Sequence, residues 1–125
     1  MTPTTMRPDH RCDIEDDRSG PVRVVRVVGR LDWATVGGFR DLMRDSTGDP
    51  ALIVNLERAQ LDAAGTGVVM SSTARAKKRG QAVVFVVTNP IELEVLHTLG
   101  LSMMAPVVSS EPEALTLVTR GPTRE

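Results

Sequence analysis

The feature that most constrains the fold lies in the middle of the chain, where a buried strand gives way to a glycine-led helix. Residues 51–56 are almost continuously apolar, as is typical of a strand covered on both faces. Residues 61–67 follow, and a helical pattern then continues from about Thr66 to Arg79. Asp62 and several small residues therefore fall at a helix N-terminus. Unpaired backbone N–H groups and a partial positive charge there favour an anion or a closely fitting partner backbone.

The rest of the chain continues this alternation of strands and helices. Further strands are predicted over residues 10–16, 22–28, 82–87 and 107–108. Further helices are predicted after the cap at residues 32–35, after the Asn-Pro start at residues 89–90, and over residues 111–118. Such alternation implies right-handed crossovers and a largely parallel sheet whose first strand can be antiparallel.

We therefore expect a single α/β domain over residues 9–119, between a disordered tail (residues 1–8) and a polar tail (residues 120–125). The sheet should be mixed, with four or five strands and three or four helices packed on it. In the third predicted helix, Ile91, Val95 and Leu99 line one apolar face.

Composition excludes several functional classes. The chain has one Trp, two Phe and no Tyr, which disfavours single-stranded nucleic-acid binding because bases need aromatic surfaces to stack on. The net charge of −1 gives no general attraction to DNA or anionic lipid. The sequence offers no nucleophile–base pair, carboxylate pair or metal-ligand cluster, so we expect no enzyme activity, cofactor or metal.

Cellular location is predicted from Cys12 and from the absence of long apolar runs. A single cysteine excludes an internal disulfide and fits a reducing compartment. His10 and Cys12 are too few for a structural zinc site, and the acidic residues beside Cys12 disfavour a reactive thiolate. Since no run approaches 18 apolar residues and no signal peptide is apparent, we expect a cytoplasmic protein without membrane insertion.

Two motifs in this sequence resemble those of the STAS domain, the family of bacterial anti-sigma factor antagonists and related sulfate-transporter modules. Residues 29–35 read G-R-L-D-W-A-T, where family members commonly read G-E-L-D-x-x-T. Residues 53–56 (I-V-N-L) and 62–67 (D-A-A-G-T-G) match the family's strand and its following D-S-S-G-x-G turn. The order and separation of the motifs make the resemblance specific, and it covers about residues 10–118.

The resemblance implies a non-catalytic protein that binds an anti-sigma factor of the serine-kinase type and thereby regulates transcription. The implied partner-binding residues lie in the first motif and at the helix start: Arg30, Asp32, Trp33, Asp62, Ala63, Ala64, Gly65, Thr66 and Gly67. Arg30 stands where the family usually has Glu, so the partner surface is expected to differ from that of relatives. Trp33 is as consistent with core burial as with an interface.

Ala64 stands at the position where phosphorylatable antagonists carry the serine that their partner kinase modifies. The expected switch is therefore missing, and three alternatives follow. The protein is a constitutive antagonist, or it is regulated at another hydroxyl (Thr66, Ser71, Ser72 or Thr73), or it works outside the kinase circuit. The third alternative includes a STAS subunit of a membrane lipid-transport ABC system. For Thr66 the favoured interpretation is that its hydroxyl caps or lines the helix start.

The basic residues at the end of the second predicted helix have two interpretations. Arg75, Lys77, Lys78 and Arg79 stabilise the helix through its dipole, or they form a binding patch. The dipole account is the simpler one, because cations in a last helical turn need no ligand to be favourable.

Overall fold

The computed structural model describes residues 12–120. The predicted tail over residues 1–8, His10 and residues 121–125 lie outside the described residues. The strands are β1 (Cys12–Ser19), β2 (Val22–Leu31), β3 (Ala51–Leu61), β4 (Ala82–Val86) and β5 (Val107–Val108). The helices are α1 (Val36–Asp45), α2 (Ala63–Lys78), α3 (Pro90–Thr98), α4 (Leu101–Met104) and α5 (Glu111–Arg120), and a short 3₁₀ turn, Ser46–Gly48, follows α1.

The five strands form one mixed sheet in the order β1-β2-β3-β4-β5. β1 pairs antiparallel with β2, and the other neighbouring strands are parallel. The predicted α/β class and mixed sheet are therefore confirmed. The described residues contain five α-helices, where three or four were expected. Gly100 adopts a φ of +92° after α3, and the four-residue α4 begins directly behind it.

Each face of the sheet is covered by helices, so the protein has two apolar clusters. One cluster joins the sheet to α1–α4, with Phe39, Val69 and Leu96 among its helical members. The other joins it to α5 through Ala114. Successive side chains of a strand point to opposite faces, so a central strand is apolar at nearly every position. Residues 51–56 of β3 are accordingly all buried, as the sequence predicts.

The apolar face that the sequence assigns to α3 does not lie in the core. Ile91, Val95 and Leu99 are exposed, and α3 is anchored instead by Leu96, which is 1% exposed. This helix is apolar on more than one side. The spacing of its residues alone therefore does not determine which side packs against the sheet.

α2 begins earlier than predicted, at Ala63 rather than about Thr66. The carboxylate of Asp62 accepts a hydrogen bond from the N–H of Gly65 at 2.8 Å, which caps the helix immediately. The capping role expected of Asp62 is therefore confirmed. The two alanines that follow Asp62 form the first turn, where good helix formers are favourable.

Gly65 allows α2 to touch the end of β2. A Cβ atom at this position would lie 1.9 Å from the carbonyl oxygen of Leu31. The same oxygen accepts the N–H of Asp62 at 3.4 Å. A clash between a Cβ atom at position 65 and this oxygen could not be relieved by rotating a side chain, because the oxygen belongs to the backbone of Leu31. Only glycine permits this approach of helix and strand.

α5 is held to the opposite face by an ion pair between Glu111 and Arg26 of β2. The Arg26 guanidinium donates to both carboxylate oxygens, at 2.6 and 2.9 Å, and the amide of Asn55 donates at 2.6 Å. The hydrogen bond from Arg26 is the main reason why the pKa of Glu111 lies below its ordinary value, and Asn55 adds to the effect. This contact therefore depends on an ionised carboxylate.

We predict that Gly65→Ala lowers the free energy of unfolding by about 3 kcal/mol, because the added methyl group meets backbone that cannot move aside. Gly67 is the matched control, since a Cβ there meets nothing within 4 Å. Gly67→Ala should raise stability by about 0.5–1 kcal/mol through its better helix propensity. Urea unfolding measures both, and equal stabilities of the two variants would refute the close approach.

We predict that Glu111→Gln removes part of the acid sensitivity of the fold. A carboxyl group with a lowered folded-state pKa stabilises the protein above its unfolded-state pKa, and this contribution disappears as the pH falls. The free energy of unfolding of the wild type should therefore fall as the pH drops below about 4.5, and that of the variant should fall less. At neutral pH the variant should be less stable by about 1 kcal/mol, since the pair is partly solvated.

The control for this prediction is Glu94→Gln, which removes the same charge from an exposed position on α3. Urea unfolding as a function of pH should give parallel curves for this control and the wild type. A Glu111→Gln curve that is also parallel to the wild type would contradict the role of the ion pair.

Candidate functional site

The carboxyl ends of β2 and β3 bring the two sequence motifs together. Leu31 is the register partner of Leu61, and each strand leads directly into one motif. The loop that begins at Asp32 follows β2, and Asp62 with the start of α2 follows β3. The residues predicted to bind a partner therefore lie at one end of the sheet, on two neighbouring connections.

Hydrogen bonds between Asp32 and Thr35 hold the first loop. The Thr35 hydroxyl donates to the carbonyl of Arg30 at 2.7 Å and accepts the N–H of Asp32 at 2.9 Å. The Asp32 carboxylate accepts the N–H of Ala34 at 3.0 Å. Asp32 thus orders a turn before α1. The sequence suggests that its side chain caps the helix, and the structure shows that it does not. The residue at the N-cap of α1 is Thr35, without a side-chain capping bond.

Trp33 sits on this ordered turn and is 79% exposed. The sequence leaves it open between the core and an interface, and the structure places it outside the core. A large aromatic side chain in water is a typical anchor for a protein partner, because its burial removes much apolar surface at little conformational entropy. Beside it, Arg30 is exposed and approaches the Asp32 carboxylate at 3.8 Å.

The helix start separates the predicted residues into an exposed and a buried group. Ala63, Ala64 and Gly67 are exposed, whereas Gly65 and Thr66 are buried. Gly65 is used by the contact with Leu31, and Thr66 is 8% exposed within the fold. The outer surface of this turn therefore presents methyl groups and backbone, with the Asp62 carboxylate at its edge.

Cys12 lies at the base of the first loop and is half-buried. Its burial, followed by the charges of Asp13 and Asp32, raises the pKa of the thiol, and a hydrogen bond with Thr35 acts in the opposite direction. The thiol is consequently protonated and a weak nucleophile at neutral pH. This agrees with the sequence-based expectation for Cys12.

An apolar groove that the sequence did not reveal runs beside the helix start. It has a volume of about 530 Å³ and lies between α2 and α3, with Leu61, Met70, Val95 and Leu99 contributing its apolar walls. Val95 and Leu99 come from the α3 face that the core leaves exposed. The signal in the sequence was that α3 carries apolar residues on more faces than one contact can bury.

Within residues 12–120, no three His, Cys, Asp or Glu side chains are grouped so as to hold a metal ion. No helix in that range combines the length and apolarity needed to cross a bilayer.

Residues 13–114 match the sequence profile of the STAS domain. No curated protein matches the chain. Among solved structures, an anti-sigma factor antagonist from Mycobacterium paratuberculosis is 22% identical, with a TM-score of 0.79, and the match covers 94% of this chain and 100% of that one.

Two further solved structures are similar. The Bacillus cell fate determinant SpoIIAA in its phosphorylated form is 22% identical with a TM-score of 0.67, covering 86% of this chain and 99% of that one. RsbS of Moorella thermoacetica is 17% identical with a TM-score of 0.72, covering 86% and 98%. The match over most of the chain and the shared fold lead to one conclusion: this protein belongs to the STAS domain family.

Proposed function

We propose that this protein is an anti-sigma factor antagonist that binds a kinase-type anti-sigma factor and lacks the phosphorylation switch at the helix start. The observation that carries the proposal is that Ala63 and Ala64, the exposed residues in the first turn of α2, carry no hydroxyl group and lie at the same end of the sheet as the exposed Trp33. In this proposal the protein acts in the cytoplasm, catalyses no reaction and controls transcription only by occupying its partner.

The surface is suited to recognition by shape. Ala63 and Ala64 project only methyl groups, so a partner backbone can approach the start of α2 closely. Trp33 supplies a large apolar side chain on the neighbouring connection at the same end of the sheet, held on a loop that is already ordered by hydrogen bonds. A preordered surface loses little conformational entropy on binding, which favours affinity.

The arrangement of hydroxyl groups supports a constitutive antagonist over regulation elsewhere on α2. Thr66, Ser72 and Thr73 are buried, at 8%, 3% and 0% exposure. A kinase cannot reach these hydroxyls without unfolding part of the helix. Ser71 is exposed, but it lies about two turns further along α2, away from the proposed contact surface.

We predict that Ala64→Glu weakens binding to the cognate anti-sigma factor at least tenfold, because a charged side chain would separate the two surfaces. The matched control is Ala74→Glu, an exposed alanine further along the same helix. Calorimetric titration against the anti-sigma kinases of the same organism makes the comparison. Equal affinities of the two variants, or recovery of an ABC transporter ATPase as the bound partner, would overturn the proposal.

Trp33→Ala should weaken the same complex by at least about 2 kcal/mol, as expected for a central aromatic anchor. The unfolding free energy of the variant should stay close to that of the wild type, because Trp33 is 79% exposed. An unchanged affinity in the same titration would exclude Trp33 from the interface.

We expect the wild-type protein to incorporate no phosphate when incubated with ATP and its partner kinase, whereas Ala64→Ser becomes an acceptor. A phosphate there adds about −1.5 to −2 charges and should release the complex. Ala63→Ser, one residue earlier, is the control variant. It tests whether any exposed hydroxyl at the helix start is phosphorylated, or only one at position 64. Mass spectrometry reads the modified position, and efficient phosphorylation of wild-type Thr66 or Ser71 would refute the constitutive version.

A further inference from the structure

We propose that α1 and α2 form a second site, which binds a phosphate group between four arginine side chains and a buried serine. The cavity has a volume of about 210 Å³ and is separate from the partner surface at the start of α2. Its lining residues are Arg40, Met43, Arg44, Ser72, Arg75 and Arg79. The proposal does not depend on the antagonist function.

Helix geometry explains why these side chains converge. Ser72, Arg75 and the C-cap residue Arg79 follow one another at spacings of three and four residues, so they lie on the same side of α2 and its end. Arg40 and Arg44 are four residues apart on α1, which packs against α2. Two arginine pairs on neighbouring helices thus face a common space.

Ser72 provides the second, independent observation. It is 3% exposed, and its hydroxyl is the one buried side-chain polar atom among residues 12–120 without a hydrogen-bond partner. The neighbouring hydroxyls of Ser71 and Thr73 donate to the carbonyls of Val68 and Val69. A buried hydroxyl without a partner is costly, and Ser72 is one of the residues that line the basic cavity. In the proposal, rotation of this side chain toward the cavity lets a bound phosphate accept the hydroxyl proton.

The charges around the cavity are not balanced by the protein. Over the described part of the chain, the one acidic partner of these arginines is Asp41, 3.5 Å from Arg44 on an exposed stretch of α1. The Arg79 guanidinium donates a hydrogen bond to the neutral side chain of Gln81 at 3.2 Å. The four arginines are exposed residues, so water and salt screen their mutual repulsion, and a bound anion would lower it further.

Interaction with the helix dipole does not account for this arrangement. The dipole favours cations in the last turn of α2, where Arg75, Lys77 and Lys78 lie. The two lysines do not line the cavity, whereas Arg40 does so from the middle of α1. The dipole also leaves the unpaired hydroxyl of Ser72 unexplained.

The chemistry of the lining favours a phosphate group over other anions. Guanidinium groups donate two parallel hydrogen bonds to adjacent oxygens of a phosphate, and several arginines can share its oxygens. The hydroxyl of Ser72 can donate to another oxygen. The ligand class is therefore a phosphate monoester or pyrophosphate, whether carried by a soluble metabolite or by a lipid headgroup.

Calorimetric titration with inorganic pyrophosphate at low ionic strength tests the site. We expect saturable binding to the wild type, and a loss of at least tenfold in the double variant Arg40→Gln, Arg75→Gln. The double variant Lys77→Gln, Lys78→Gln removes the same charge outside the cavity and should change affinity less than about twofold. Equal weakening in both, or no binding to the wild type, would overturn the site.

Ser72→Ala separates a ligand-binding role from a structural one. The variant should bind pyrophosphate about threefold more weakly, while its stability toward urea is unchanged or higher because an unsatisfied hydroxyl is gone. Unchanged pyrophosphate binding would contradict the role of Ser72 in the site.

Vesicles identify the source of the phosphate. Sedimentation with phosphatidylcholine vesicles, with and without phosphatidic acid, is compared across the same variants. If the protein binds vesicles that contain phosphatidic acid, and the arginine double variant alone loses this binding, the site is assigned to a lipid headgroup. Binding to pyrophosphate without vesicle binding assigns it to a soluble phosphate compound. A vesicle response that both double variants lose equally would reduce the effect to general surface charge and refute the site.

Discussion

The contact between Gly65 and the carbonyl oxygen of Leu31 determines the geometry of the candidate partner surface. It brings the first turn of α2 against the end of β2, so that the loop bearing Trp33 and the alanines of α2 lie on neighbouring connections at one end of the sheet. A side chain at position 65 would force these two connections apart. The glycine of the second STAS motif therefore has a packing role, which leaves the neighbouring Ala63, Ala64 and Gly67 exposed.

The two ends of α2 differ in chemistry. The residues at its start are small, mostly exposed and, apart from Asp62, uncharged. They adjoin an apolar groove formed with α3. Its second half faces α1 across a cavity lined by arginines. One helix thus presents a surface suited to a protein at one end and a cavity suited to an anion towards the other. Val69 and Ala76, on its inner side, belong to the core.

The sequence was sufficient to predict the five strands and their order, because β3 and β4 are apolar at nearly every position of their first halves, but it did not reveal α4 or the extension of β3 from residue 57 to Leu61. It was also sufficient to place Asp62 at a helix cap, since an acid before small residues is a local signal. It did not determine which face of α3 packs, because that depends on competition between Leu96 and the Val95 side for the same sheet. Nor did it reveal the buried state of Ser72 or Gly65, since both result from the distance between elements that are remote in sequence.

The two borders of the sheet bear on how this protein can associate. Most residues of β1 are exposed and several are charged, including Glu15, Asp16, Asp17 and Arg18, while β5 is only two residues long. Charged side chains and very short strands discourage backbone pairing with another chain. Lateral strand addition is thereby disfavoured on both sides, which leaves the ends of the strands and the outer helix faces as the accessible routes for assembly.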